Sequence, residues 1–215
     1  MKPFVPVYRG KPWVSGVSVL HLYVVPDPEV DKDLLALIAA CRPVLDDYPI
    51  WCLPDDLVHI TIEMDAAAPS HQISTAQRAA LIAELEVLLA DFRSFTVLCG
   101  SPIANRTGAL LDAYPDVGIR ALQNLAGAAL RRVHDTPAIA LHGGRGHMAL
   151  GYAYETADSD PLQSGLRAIT PSHATLAVSR LHLLDVRWTA HHEPDGSVRW
   201  EMTWEPVAIL PLAGT

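Results

Sequence analysis

Long apolar runs are missing from this 215-residue chain. Nothing approaches the roughly 20 residues needed to span a bilayer, and the opening MKPFVPVYRGKPWVSG lacks the apolar stretch of a secretion signal. Membrane partners are therefore not expected. Runs of five or six basic residues are also missing, and the formal net charge is −8. That balance leaves little room for binding long nucleic acid by counterion release, although a small anion held by a few local donors remains compatible. Cysteine is scarce: Cys41, Cys52 and Cys99 are odd in number, far apart and without a CxxC pair, a usage that fits reduced thiols in a cytoplasmic protein. The sequence has no GxSxG elbow, no Walker A loop and no GxGxxG. The common serine hydrolase, nucleotidase and Rossmann readings thus lack their defining residues.

What is present is core-forming material. Half of the residues are hydrophobic, enough for one compact domain over 1–215 or for two small lobes sharing a core. Seventeen prolines and thirteen glycines, scattered among short apolar runs, imply many turns and mixed α and β structure. No low-complexity linker divides the chain.

The β-branched run VSVLHLYVV at 17–25 reads as a buried strand. From Asp31 the spacing becomes helical, with Leu34, Leu35, Ile38 and Cys41 on one face and Pro43 as a stop. In LVHITIEM, Val58, Ile60 and Ile62 alternate with His59, Thr61 and Glu63, which predicts a strand with a polar face. The region from Ser74 to Phe92 is the clearest helix, with Ser74 or Thr75 as its N-cap. FTVLCGSPIA and TGALLDAY read as adjacent strands around a bend or bulge near Asn105 and Arg106, and a third helix follows from about Val117 to His134. After HGGRG comes HMALGYAY, a second short strand on which His147 and Ala149 share a face. A short helix near Pro161 to Ala168 precedes ATLAVSRLHLLDVRW and WEMTWEPVAILPL, two long strands expected to form a hairpin through Asp195 and Gly196. Strand, helix and histidine-bearing strand thus recur once in each half.

In a strand, the side chains of His-x-Thr project from the same face. A neutral imidazole can take a proton from an attacking hydroxyl, a protonated one can give a proton to a leaving oxygen, and the threonine hydroxyl can bond a nonbridging phosphate oxygen. With ordinary values near 6.5, two histidines can hold opposite protonation states around neutral pH. Ten histidines should give about one His-x-Ser/Thr by chance. This sequence offers His59-Ile60-Thr61 and His173-Ala174-Thr175, and the near match His147-Met148-Ala149. His142 and His147 flank GGRG, but no cysteine or carboxylate completes a ligand set, so no metal is expected.

In these motifs and their order the chain resembles, over most of its length, the two-histidine (2H) phosphoesterases, the group of bacterial 2′-5′ RNA ligase-like proteins and cyclic phosphodiesterases. In that family the second histidine motif follows the first by roughly 80 to 90 residues. His147 follows His59 by 88 positions, and GHMALGYAY matches the second motif's surroundings except at Ala149. His173 stands 114 positions from His59, and its continuation ATLAVSRLHLLDVRW is similar to the family's penultimate strand before a closing strand such as WEPVAILPL. His147 is therefore taken as the partner of His59, with His173 as the alternative. The resemblance implies an α+β, bilobal fold, two antiparallel sheets facing a central cleft with helices outside. It implies a metal-independent enzyme without cofactor, acting on 2′,3′-cyclic or 2′-5′-linked nucleotide or RNA phosphodiesters, with His59 and His147 as the acid/base pair. Thr61, Arg145, Arg106 and Tyr152 are the candidate substrate contacts. Ala149 removes the second hydroxyl, which leaves open a sensor that binds a nucleotide or RNA end with little turnover, or an enzyme recruited to another small-molecule reaction. The expected partner is a small nucleotide or RNA end, and the expected state a monomer.

Overall fold

The computed structural model describes residues 1–134 and 144–214. Among them, eleven strands and four α-helices run in the order β1 (Val7–Tyr8), β2 (Lys11–Pro12), β3 (Ser18–Val24), α1 (Lys32–Leu45), β4 (Ile50–Cys52), β5 (Ile60–Met64), α2 (Thr75–Leu89), β6 (Phe95–Asn105), β7 (Gly108–Tyr114), α3 (Val117–His134), β8 (His147–Ala153), α4 (Asp160–Arg167), β9 (His173–Val178), β10 (Arg180–His192) and β11 (Val198–Pro211). None of these helices is long and apolar enough to cross a membrane.

The architecture is the expected α+β one, with a strongly curled antiparallel sheet. Four strands in the order β11-β10-β3-β5 form one half, and β8-β7-β6-β9, with β4 paired to β8, form the other. The halves join at a single pair, Ile60 opposite Met148, so the two expected sheets run into one nine-stranded sheet. Helices α2 and α3 cover β11 and β5, while α1 and α4 cover β9 and β6. Leu34, Leu37, Ile38, Cys41 and Leu45 of α1, and Leu81, Leu85 and Leu89 of α2, recur at helical spacing and are buried against the sheet. Ser74 caps α2 in a reciprocal capping box with Gln77.

Three local expectations are corrected. Pro43 does not stop α1, which continues to Leu45; the lost donor is tolerated in the last turn because Leu45 is buried. The stretch ATLAVSRLHLLDVRW is two strands: β9 pairs with β6, and after the single residue Ser179, β10 pairs with β3 and β11. Only β10 and β11 form the hairpin, through a turn in which Gly196 takes φ 88° and Asp195 accepts from the Ser197 amide. The β6–β7 irregularity lies between Cys99 and Pro102; Asn105 ends β6 paired with Gly108, and Arg106 is in the turn.

The hand-over at Ser179 explains the curl. In the sheet order β9 and β10 are six steps apart, which at about 4.8 Å per step would be about 29 Å in a flat sheet. Two peptide units bridge at most about 7 Å. The sheet has to bend until those strands meet.

Residues 1–17 cross the concave face as a strap. The Lys2 amide donates to Arg106 O, Phe4 to Ala153 O, Trp13 to Pro6 O and Gly16 to Trp188 O. Phe4 stacks on Tyr152 at 4.2 Å and packs against Trp188 at 5.3 Å, so β8 and β10 touch across the cleft at this end.

Candidate active site

His59 immediately precedes β5 and His147 opens β8. Continuing the Ile60–Met148 register by one residue each way sets Thr61 across from His147 and His59 across from Ala149, all on the concave face. Cβ atoms facing each other in this way lie about 4.5–5.5 Å apart. A phosphate between the strands can therefore meet both imidazoles and the Thr61 hydroxyl.

The two imidazoles are held alike. His59 Nδ1 lies 2.8 Å from Leu57 O, and His147 Nδ1 lies 3.1 Å from Arg145 O, in each case the carbonyl two residues earlier. A carbonyl only accepts, so Nδ1 carries the hydrogen and Nε2 is the nitrogen left for chemistry. Their surroundings differ. His59 is 5 % exposed, stacked on Tyr23 at 3.9 Å with 14° between the rings, and edge-on to Trp204 at 5.5 Å. Burial, with smaller contributions from His21 and His147, pulls its pKa down to about 3. His147 is exposed, and its neighbour on β7 is Asp112.

Glu63 does not continue the polar face of His59 and Thr61. Tyr23 pairs with Thr61 but Leu22 with Glu63, so β5 carries an extra residue there and its faces exchange. Glu63 is buried on the helix side, near Gly127 and Arg131 of α3, and burial pushes its carboxyl up to about 7.

Arg145 is exposed and adjoins His147 through the carbonyl that holds that ring. Arg106 is exposed in the β6–β7 turn; Gly108, two residues on, pairs with Tyr152, whereas Asp112 pairs with His147, so Arg106 lies at the other end of β7 from the histidines. Tyr152 has one face covered by Phe4, and burial raises its hydroxyl well above the ordinary phenol value. His173 opens β9 at the sheet edge, four steps from β5, and bonds Ser172 Oγ at 2.9 Å. In that half of the sheet the strand that adjoins β5 is β8, which carries His147. His142 lies outside the described residues. Among the described residues, no group of three or more His, Cys, Asp or Glu is placed to hold a metal.

Tyr23, Trp204 and Asp112 border the histidines without any local motif to announce them. Alternation in VSVLHLYVV, which puts His21 and Tyr23 on one face, is the one available signal for Tyr23.

No family model and no curated protein matches the sequence. Solved structures do match the fold. TT0787 of Thermus thermophilus superposes with a TM-score of 0.60 at 14 % identity, covering 91 % of this chain and 98 % of that one. E. coli LigT complexed with 3′-AMP gives 0.60 at 14 % identity, over 92 % and 99 % of the two chains. A structure described as a phosphoesterase gives 0.58 at 12 % identity, over 91 % and 98 %. In its curled antiparallel sheet and its two joined halves, this chain has the fold of the 2H phosphoesterases.

Proposed function

We propose that the chain is a metal-independent phosphoesterase of the 2H family, acting on 2′,3′-cyclic or 2′-5′-linked nucleotide phosphodiesters, with His59 as base and His147 as acid. The observation that carries this reading is the pair of imidazoles flanking the Ile60–Met148 pair, each with Nδ1 on the carbonyl two residues earlier, which leaves each Nε2 for chemistry. Buried and neutral, His59 can accept a proton from the attacking water or ribose hydroxyl at Nε2. The oxygen attacks phosphorus, the bond to the leaving oxygen breaks, and that oxygen takes the proton from His147 Nε2. Solvent restores both histidines. The negative phosphate offsets the cost of forming a buried imidazolium at His59. Thr61 bonds a nonbridging oxygen, and Arg145 and Arg106 supply positive charge at the rim and at the far end of β7. Tyr152, backed by Phe4, bounds the cleft and can meet the ligand's ring only with its free side.

Ala149 favours a second reading, a nucleotide or RNA-end sensor with little turnover. Both are tested by assaying 2′,3′-cyclic nucleotides and 2′-5′ dinucleotides in EDTA with wild type, His59→Ala and His147→Ala. The enzyme reading expects wild-type turnover that falls at least a hundredfold in each variant. Turnover indifferent to both substitutions overturns it, and binding without turnover selects the sensor.

A further inference from the structure

Tyr23 is the residue through which β3 reaches both members of the first histidine motif. Its ring lies on His59 at 3.9 Å and 14°, and its register partner on β5 is Thr61. The cross-strand register sets the ring beside the Thr61 side chain, and the hydroxyl donates to Met202 Sδ at 3.9 Å. His21 and Trp204 meet the ring edge-on at 5.1 and 5.6 Å, so it has little freedom to turn. We propose that Tyr23 is a positioning residue for the reaction, holding the His59 ring in plane by stacking and directing the Thr61 hydroxyl toward the phosphate by donating to it.

The second part follows from counting hydrogens. A threonine hydroxyl has one hydrogen and two lone pairs, and an anionic phosphate oxygen only accepts. Thr61 can serve the phosphate only by spending its hydrogen there, which leaves its oxygen as an acceptor. A phenol that donates to that oxygen fixes the rotor with its hydrogen outward. When no anion is bound, the Tyr23 hydrogen can rest on the weak acceptor Met202 Sδ instead. The first part follows from packing: with one ring face covered by Tyr23 and the edge-on Trp204 beside it, His59 is shielded from water and stays neutral.

The two roles separate in two variants. Tyr23→Phe keeps the stack and removes the donor; Tyr23→Leu removes both. This inference rests on the proposed phosphate site, so the experiment includes readouts that do not need turnover. Inorganic phosphate is titrated while the Thr61 amide is followed by NMR, and the His59 imidazole is titrated with pH by NMR, in wild type and both variants, alongside turnover of a 2′,3′-cyclic nucleotide. Tyr23→Phe should weaken phosphate binding and raise KM by roughly three- to tenfold, with the His59 titration unmoved. Tyr23→Leu should move that titration up by at least about one pH unit as water reaches the ring and lower kcat, carrying the acid limb of the rate profile upward. A His59 titration unmoved in Tyr23→Leu overturns the stacking role. Phosphate binding unchanged in Tyr23→Phe overturns the donor role, and should Tyr23→Leu not fold, Tyr23→Met, which also lacks the ring and the hydroxyl, decides the stacking role by the same titration. If wild type binds phosphate but turns over no nucleotide, the enzyme reading fails while both Tyr23 roles are still decided. If phosphate does not perturb Thr61 in wild type, the donor role is overturned together with the site it serves.

Discussion

Replacing Ala149 with threonine should raise turnover. Ala149 faces the cleft across from His59, as Thr61 stands across from His147, and is 9 % exposed. A threonine there would give the phosphate a second hydroxyl on the opposite side. A hydrogen bond to a charged group is worth about 1.5–3 kcal/mol, and each 1.36 kcal/mol is tenfold in rate, so kcat/KM should rise roughly ten- to a hundredfold. If the bond tightens as charge develops on the nonbridging oxygens, the gain falls on kcat; if it forms equally in the ground state, it falls on KM. Ala149→Val supplies the branched shape without the hydroxyl and should show no gain, which removes bulk and strand propensity as explanations. The assay is steady-state hydrolysis of a 2′,3′-cyclic nucleotide in EDTA, with circular dichroism to confirm folding. A folded threonine variant within twofold of wild type, or a valine variant that gains as much, would refute the placement of residue 149 beside the reacting phosphate.

Other consequences can be measured on the free protein. Burial holds His59 at about 3 and His21 at about 4 against an ordinary 6.5. The unfolded chain takes up protons below pH 6.5 and the fold does not, so stability is complete above that pH and declines as pH falls toward 3, by on the order of 3 kcal/mol for each histidine. Urea unfolding between pH 7 and 4.5 should show this slope, and His21→Gln should flatten it; an equally steep slope in that variant counts against the assignment. Glu63 acts with the opposite sign: its carboxyl is raised from 4.5 to about 7, so its contribution is complete below pH 4.5 and lost as pH rises through 7. Glu63→Gln should therefore gain on wild type, in urea midpoint, between pH 5 and 8. Phe4→Ala, which uncovers Tyr152, should cost about 1–3 kcal/mol and bring the Tyr152 hydroxyl back toward the ordinary phenol range in an ultraviolet titration. Unchanged stability would mean that the strap contributes nothing to the fold.

The sequence makes much of this molecule legible because most of its signals are local. The buried face of α1, the capping box at Ser74 and the alternation around His59 and His147 are decided within a few residues. Where local rules miss, a distant strand is responsible. The bulge that turns Glu63 inward exists in the pairing of β5 with β3. The break at Ser179 is invisible in an unbroken apolar run because both pieces are strands and only their partners differ. The choice between His147 and His173 likewise comes down to which strand adjoins β5, a matter of sheet order. Tyr152, a candidate substrate contact in the sequence, has one face covered by a residue 148 positions away in the chain.

The single hydrogen-bonded pair between the halves has a mechanical consequence. Ile60 and Met148 make one seam, and at the opposite edges Ser179 ties the same halves through the covalent chain. Each proposed acid/base residue is one position away from that seam in sequence. With Ser179 closing the opposite side and Phe4 bridging Tyr152 and Trp188 across the cleft, the halves are tied on both sides of the pair, so the spacing of the two imidazoles is set by the backbone and not by the ligand.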